Sequence, residues 1–179
     1  MSSLPPSGRI YTVGHSNRSA ADFFALLEGH SVELLCDVRT VPKSRHNPQF
    51  GQQELVPSLE AAGIRYEHMA ALGGLRKPRK DSVNGAWRND SFRGYADHMA
   101  TPEFQAALAV LIERAQTLRT AVMCAEAVPW RCHRSLIADA LLAHGITAEE
   151  ITGVRSTRAH RLTPFARVQG FSVTYPALV

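Results

Sequence analysis

One phrase recurs along this chain and constrains its fold more than any other feature: an apolar-periodic helix, a glycine, then a short apolar strand. It runs through residues 23–27, Gly29 and 32–38, returns as 55–62, Gly63 and 64–68, and again as 136–143, Gly145 and 146–151. Glycine just past a helix takes the left-handed conformation at little steric cost, and a short return from helix to strand is what βαβ units need. Ser19 with Asp22 three residues on resembles a capping box, which predicts a helix starting near Ala20. Thr101 and Pro102 make a good N-cap followed by proline in the first helical position, with Phe104, Leu108, Leu111 and Ala115 behind them on one face. Residues 9–13 and 120–124 read as strands. The order is β-α-β-α-β-α-α-β-α-β, and right-handed crossovers make this an α/β fold. A mainly parallel sheet carries helices on both faces, as a Rossmann-like three-layer sandwich.

The 179 residues suit one domain with a substantial core. Within it, residues 1–8 are expected to be flexible, and 155–179, without a clear period, to wrap the domain irregularly. Residues 69–91, with Gly73, Gly74, Pro78 and Gly85, form a long loop expected to act as a mobile lid. The N-terminal Met-Ser-Ser-Leu-Pro-Pro-Ser has neither the basic start nor the apolar run of a signal peptide. No apolar stretch approaches the roughly 20 residues that span a bilayer. The expectation is a cytosolic protein without a membrane partner. Three cysteines, Cys36, Cys124 and Cys132, are an odd count and form no disulfide framework; in a reducing compartment they are thiols, ligands or plain core residues.

Each main strand ends, on its C-terminal side, in polar residues: His15 and Ser16, then Asp37 and Arg39, then Tyr66 and His68, then Cys124 and Glu126. In an open parallel sheet those ends share one edge, and ligands bind in the crevice outside it. The densest piece is 124–134, a strand, a turn containing Pro129, and a helix expected to begin near Cys132. A helix N-terminus presents free N–H groups and partial positive charge. Beside Arg131, His133 and Arg134 it would cradle an anion and lower the pKa of a cysteine. A strand-end cysteine before a helix-start arginine is the arrangement of phosphatase and rhodanese loops. Here, however, six residues separate Cys124 from Arg131 and no glycine loop lies between them. Zinc is less well supported, because no CxxC pair is present and Cys132 and His133 are adjacent in a helix. The candidate catalytic residues are Cys124, Glu126, His133, Asp37 and His15; Ser16, Arg39, Arg45, Tyr66, Cys132 and Arg134 are candidate ligand contacts. An arginine fork suits phosphate or carboxylate, yet Arg39 pairing with Asp37 merely to fix its loop is an equal alternative.

Several of these residues fall into a known pattern. The segments 12–17, 37–39 with Pro42, Ser44, Arg45, Asn47 and Pro48, the run Leu72-Gly73-Gly74, and 95–99 resemble the bacterial family called domain of unknown function 488. So do the Cys-x-Glu-x5-Cys-His-Arg piece at 124–134 and His160 with Leu162-Thr163-Pro164. After the glycine pair the sequence reads Leu75-Arg76, where the pattern is expected to carry a second arginine. The resemblance implies a shared site without naming a substrate or cofactor.

Two functions lead on the sequence, beside a third in which the chain is a partner-binding module and the polar edge is structural. One is an enzyme or binder for a small phosphorylated or nucleotide-like ligand at the strand edge. The other is a nucleic-acid-binding protein using the basic loop 76–93. Arg76, Lys77, Arg79 and Lys80 put four cations into five residues there, with Trp87 and Phe92 to stack on bases.

Overall fold

The computed structural model describes residues 8–128 and 131–178. Most of the N-terminal segment expected to be flexible, and Pro129 of the expected turn, lie outside that range. Along the chain come β1 (Arg9–Gly14), α1 (Ala20–Gly29), β2 (Leu34–Asp37), α2 (Gln52–Ala61), β3 (Arg65–His68), α3 (Asp90–Met99), α4 (Pro102–Thr117), β4 (Thr120–Cys124), α5 (Arg134–Ala143) and β5 (Thr147–Gly153). This is the expected alternation. The caps explain the helix starts: the Ser19 hydroxyl accepts from Asp22 N, and Thr101 from Phe104 N ahead of the α4 face Phe104, Leu108, Leu111 and Ala115. Gly63 and Gly145 take the left-handed conformation, with φ of +74° and +75°. Gly29 does not: it closes α1 and Ser31 takes the positive φ instead.

One sheet has the order β3-β2-β4-β1-β5 followed by an edge strand, β6 (Ser156–Ala159), with β1 to β5 all parallel. Alternation along the strands divides the core in two. Val13, Leu35, Ala121 and Met123 pack under α1 and α2 with Phe23, Leu55 and Leu59. Ile10, Cys36, Val122 and Cys124 pack under α3, α4 and α5 with Tyr95, Leu108 and Leu136. The result is three layers.

The tail departs from the expected irregular wrap. β6 (Ser156–Ala159) pairs antiparallel with β5, and β7 (Arg167–Gln169) pairs with β8 (Ser172–Thr174) in a hairpin. These strands of three or four residues are too short and too exposed to show a period in the sequence. The stretch between β6 and β7 does run irregularly, and Tyr175, directly after β8, is wholly buried in the α5 face of the core.

The loop 69–91 is tied down along its length. The buried carboxylate of Asp97 on α3 accepts from Arg79 N, Ser82 Oγ and Asn84 Nδ2 at 2.8, 2.6 and 2.7 Å. Asn84 Oδ1 in turn takes Tyr175 N at 2.9 Å, and Ala86 N donates to Tyr175 O. The segment expected to swing as a lid is laced to α3 and to the tail.

Candidate functional site

The parallel register brings the polar strand ends to one edge, Gly14 lying opposite Cys124 and Asp37 opposite both His68 and Met123. β1 leads to α1 on one face and its neighbour β4 leads to α5 on the other, the arrangement that usually opens a ligand crevice. Here the gap is zipped shut. His15 N donates to Cys124 O and Ser16 N to Ala125 O, at 3.0 and 2.9 Å, continuing the ladder past the strands. A Cβ on Gly14 would stand 1.7 Å from Glu126 O, so only glycine lets the two backbones approach this closely.

Next to this seam lies a buried polar network. Asp37 receives Arg39 Nε and Nη2 at 2.9 and 2.7 Å, Arg39 N at 3.1 Å and the Tyr66 hydroxyl at 2.6 Å. Arg39 is spent on its own strand end, and both charges are out of water. Burial, and then the bond to Asp37, push the Tyr66 phenol up, so it stays protonated. The His15 ring stacks on Phe50 at 4.5 Å, its Nδ1–H donates to Ser16 O at 2.8 Å, and its bare Nε2 faces Arg39 Nη1 at 3.5 Å. Ser16 is half-buried and Arg45 is exposed.

Burial, outweighing the Ser16 carbonyl, lowers the pKa of His15, and burial likewise lowers that of His98. Both rings are therefore neutral when folded but bind a proton near 6.5 once unfolded. Their contribution to stability is complete above that pH and is lost as pH falls below it toward the lowered folded values. Urea unfolding should show stability falling between about pH 7 and pH 5, less steeply in His15→Gln. An unchanged slope in that variant would mean His15 titrates normally when folded.

In the segment 124–134 the expected roles of the two cysteines separate. Cys124 Sγ donates to Glu126 O at 3.7 Å, and burial, followed by the neighbouring Cys132 sulfur, holds its thiol well above the ordinary range. Burial also opposes ionisation of Cys132. The Cys124 thiol, His133 and the Arg134 cation outweigh it and lower that thiol. Cys132 Sγ lies 3.5 Å from His133 Nδ1, whose ring is held by Nε2–H donating to Val38 O at 2.8 Å. Cys132 is thus the sulfur better placed to carry charge, although both are buried. Cys36 is a core residue, its thiol pushed up by burial.

α5 starts at Arg134, two residues after the expected position, and its first N–H groups are not free. Arg134 N donates to Cys132 Sγ, Ser135 N to Cys132 O and Leu136 N to His133 O. A tight turn over 131–133 satisfies them locally. What remains for a ligand is the Arg134 side chain. Its Nη2 donates to the carbonyls of Glu126 and Ala127 at 2.8 and 3.3 Å, while the exposed Glu126 carboxylate makes no ion pair with it. Among the described residues its Nε and Nη1 have no partner, although the residue is 0% exposed.

Arg134 is one of the residues lining a cavity of about 650 Å³ on the α5 face of the sheet, over β1, β5 and β6. Thr12, Glu150 and His160 face it, Trp87 and Pro164 wall it, and Arg158 and Arg161 stand at its rim. The indole Nε1 of Trp87 is another buried donor without a partner among the described residues. Burial raises the Glu150 carboxyl against the pull of Arg134, Arg158 and His160. Of the candidate catalytic and ligand-contact residues read from the sequence, the cavity takes Arg134 alone, although Trp87 of the basic loop and His160, Thr163 and Pro164 of the family resemblance also line it. His15, Ser16, Asp37, Arg39, Tyr66, Cys124, Glu126, Cys132 and His133 line the seam or its surroundings instead, and the exposed Arg45 does not line the cavity. Among the described residues, no group of three or more His, Cys, Asp or Glu is placed to hold a metal ion.

The family model described as Domain of unknown function DUF488 matches residues 19–141, more than half of the chain. The chain belongs to this family. No curated protein and no solved structure matches it. The matched span supplies Trp87, Arg134, Ser135 and Ala138 to the cavity, whereas Thr12, Glu150 and the β6-to-Pro164 wall come from outside it. Those outer residues were the ones sequence reading passed over. The available signals were weak: His160 and Thr163-Pro164 were part of the family resemblance without a role, and Asp139 is an acid on the otherwise apolar face of α5. No helix among the described residues is long and apolar enough to cross a membrane. In the basic loop, Trp87 and Phe92 stack on each other at 4.9 Å, and Arg79 and Arg93 pair with Asp81 and Asp90.

Proposed function

We propose that this single α/β domain binds a small phosphorylated or nucleotide-like ligand in the Arg134 cavity. The observation that carries this reading is a fully buried guanidinium, two of whose nitrogens have no partner among the described residues, on a residue that lines a space large enough for such a molecule. A buried charge with unmade hydrogen bonds is costly, by about 1–3 kcal/mol for each orphaned group, and an anionic ligand removes that penalty. The sign of the site agrees: Arg134, Arg158 and Arg161 against Glu150 leave an excess of positive charge for an anion. Trp87, Ala138, Ala159 and Pro164 offer apolar walls to its organic part. A reducing compartment such as the cytosol is part of this reading, supported by three thiols that are free of disulfides among the described residues.

Calorimetric titration with AMP and with inorganic phosphate tests this. Saturable binding is expected, weakened about 10- to 100-fold in Arg134→Met, the scale of one lost hydrogen-bonded charge contact. Arg158→Gln, at the exposed rim, is expected to lose only a few-fold and cannot fail by unfolding the core. No saturable heat with either probe, together with an unchanged melting temperature at high ligand concentration, would sink the reading.

A further inference from the structure

The wall of the cavity opposite the β1 strand holds a second arrangement that binding alone does not require. His160 Nε2 lies 2.7 Å from Asp139 Oδ1, and because a carboxylate only accepts, Nε2 carries the hydrogen. Asp139 is wholly buried in α5 and is itself fixed by Thr163 N at 3.0 Å and by the Tyr175 hydroxyl at 2.7 Å. The tautomer is thereby set, and Nδ1 is left with its lone pair and no hydrogen bond to the protein among the described residues. His160 lines the cavity that Arg134 lines, as does Glu150, whose carboxyl makes no side-chain hydrogen bond among the described residues. A base oriented by a buried carboxylate, a free carboxyl and an unpaired cation therefore share one space.

Building on the ligand reading above, we propose that the cavity is a hydrolytic site for phosphate esters, with His160 as general base, Glu150 as general acid and Arg134 on the phosphoryl oxygens. Water is the second substrate. Its oxygen forms the new bond to phosphorus while the bond from phosphorus to the leaving alcohol oxygen breaks. The proton lost by the water goes to His160 Nδ1, and the leaving oxygen takes the proton of the Glu150 carboxyl. Exchange with solvent resets both groups, so nothing beyond water is consumed. Asp139 is a positioning residue: it holds the ring and stabilises the imidazolium as it forms. Burial favours the neutral form of Glu150, the form that a proton donor needs. Arg134, at the phosphoryl group, faces the charge that grows there in the transition state.

The probes are 4-nitrophenyl phosphate and bis(4-nitrophenyl) phosphate, which separate monoester from diester preference, with release of nitrophenolate as the readout. The full chain is expected to hydrolyse one of them with a bell-shaped pH profile. His160→Gln keeps a donor for Asp139 and is expected to lower kcat by about 10²- to 10⁴-fold, leave KM nearly unchanged and erase the acid limb. Glu150→Gln, which disturbs no hydrogen bond of the fold, is expected to erase the alkaline limb. Arg134→Met is expected to raise KM as well as lower kcat. Turnover that survives both His160→Gln and Glu150→Gln with its profile intact overturns the assignment. If calorimetry shows wild-type protein binding either ester, AMP or inorganic phosphate without any release of nitrophenolate from the esters, the hydrolytic proposal falls and the ligand reading stands; if none of the four binds, both fall.

Discussion

Replacing Asp139 with alanine is expected to lower the unfolding free energy by about 3–5 kcal/mol, the range for removing one member of a buried charged network. The carboxylate has no exposure and accepts from three donors on three different parts of the tail, His160, Thr163 and Tyr175. Alanine leaves all three without an acceptor, and the Tyr175 hydroxyl is too deeply buried to find water instead. Burial, and then Asp139, already push that phenol up, so it remains a donor at any pH of interest. For a chain of this length the melting temperature should drop by roughly 6–20 °C. Tyr175→Phe is the control: it removes one donor, leaves Asp139 two, and should cost about 1 kcal/mol. A loss below about 1 kcal/mol in Asp139→Ala would show that the tail does not depend on this anchor.

The second large effect belongs to the seam. Asp37→Asn keeps the shape of the side chain but strips the charge opposite Arg39, at 0% and 6% side-chain exposure respectively. A buried cation without its partner costs about 3–5 kcal/mol, and asparagine also turns a donor toward the Arg39 nitrogens or the Tyr66 hydroxyl. If the pair works as a unit, Arg39→Met should cost far less in the Asp37→Asn background than in the wild-type protein. Chemical denaturation of the four proteins in the cycle measures this. Strictly additive losses would mean that the contact at 2.7 Å contributes no coupling, and that Arg39 is free for some other role.

The fold was legible because its signals are local and repeat. Ser19 and Thr101 cap the helices they were expected to cap, and Gly63 and Gly145 turn left-handed where a helix hands over to a strand. The tail was not legible, because β6 is one edge strand with every residue exposed, and its pairing with β5 depends on β5 already being in the sheet. The site was legible only in part. A strand end rich in His, Asp, Arg, Tyr and Cys reads the same whether it lines a crevice or closes one, and here Gly14 lets the chain close it. Arg39 shows the difficulty most simply. Its two possible partners, a ligand and Asp37, lie equally close in sequence space, and only the observed pair distances separate them.

By itself the sequence determined the alternation of helices and strands, the parallel sheet with two covered faces and the family. These depend on periodicity, on caps and on residues near one another in the chain, for which neighbouring side chains and backbone carry the necessary information. Only the tertiary structure decided that the crevice between β1 and β4 is sealed, that the N–H groups at the start of α5 are already bonded, and that a cavity lined by Arg134 opens one strand away. It alone brought Thr12, Trp87, Arg134, Glu150 and His160 around one cavity, from segments up to 148 positions apart in the 179-residue chain. Such a meeting has no local signature, because each contact is made by the packing of complete elements.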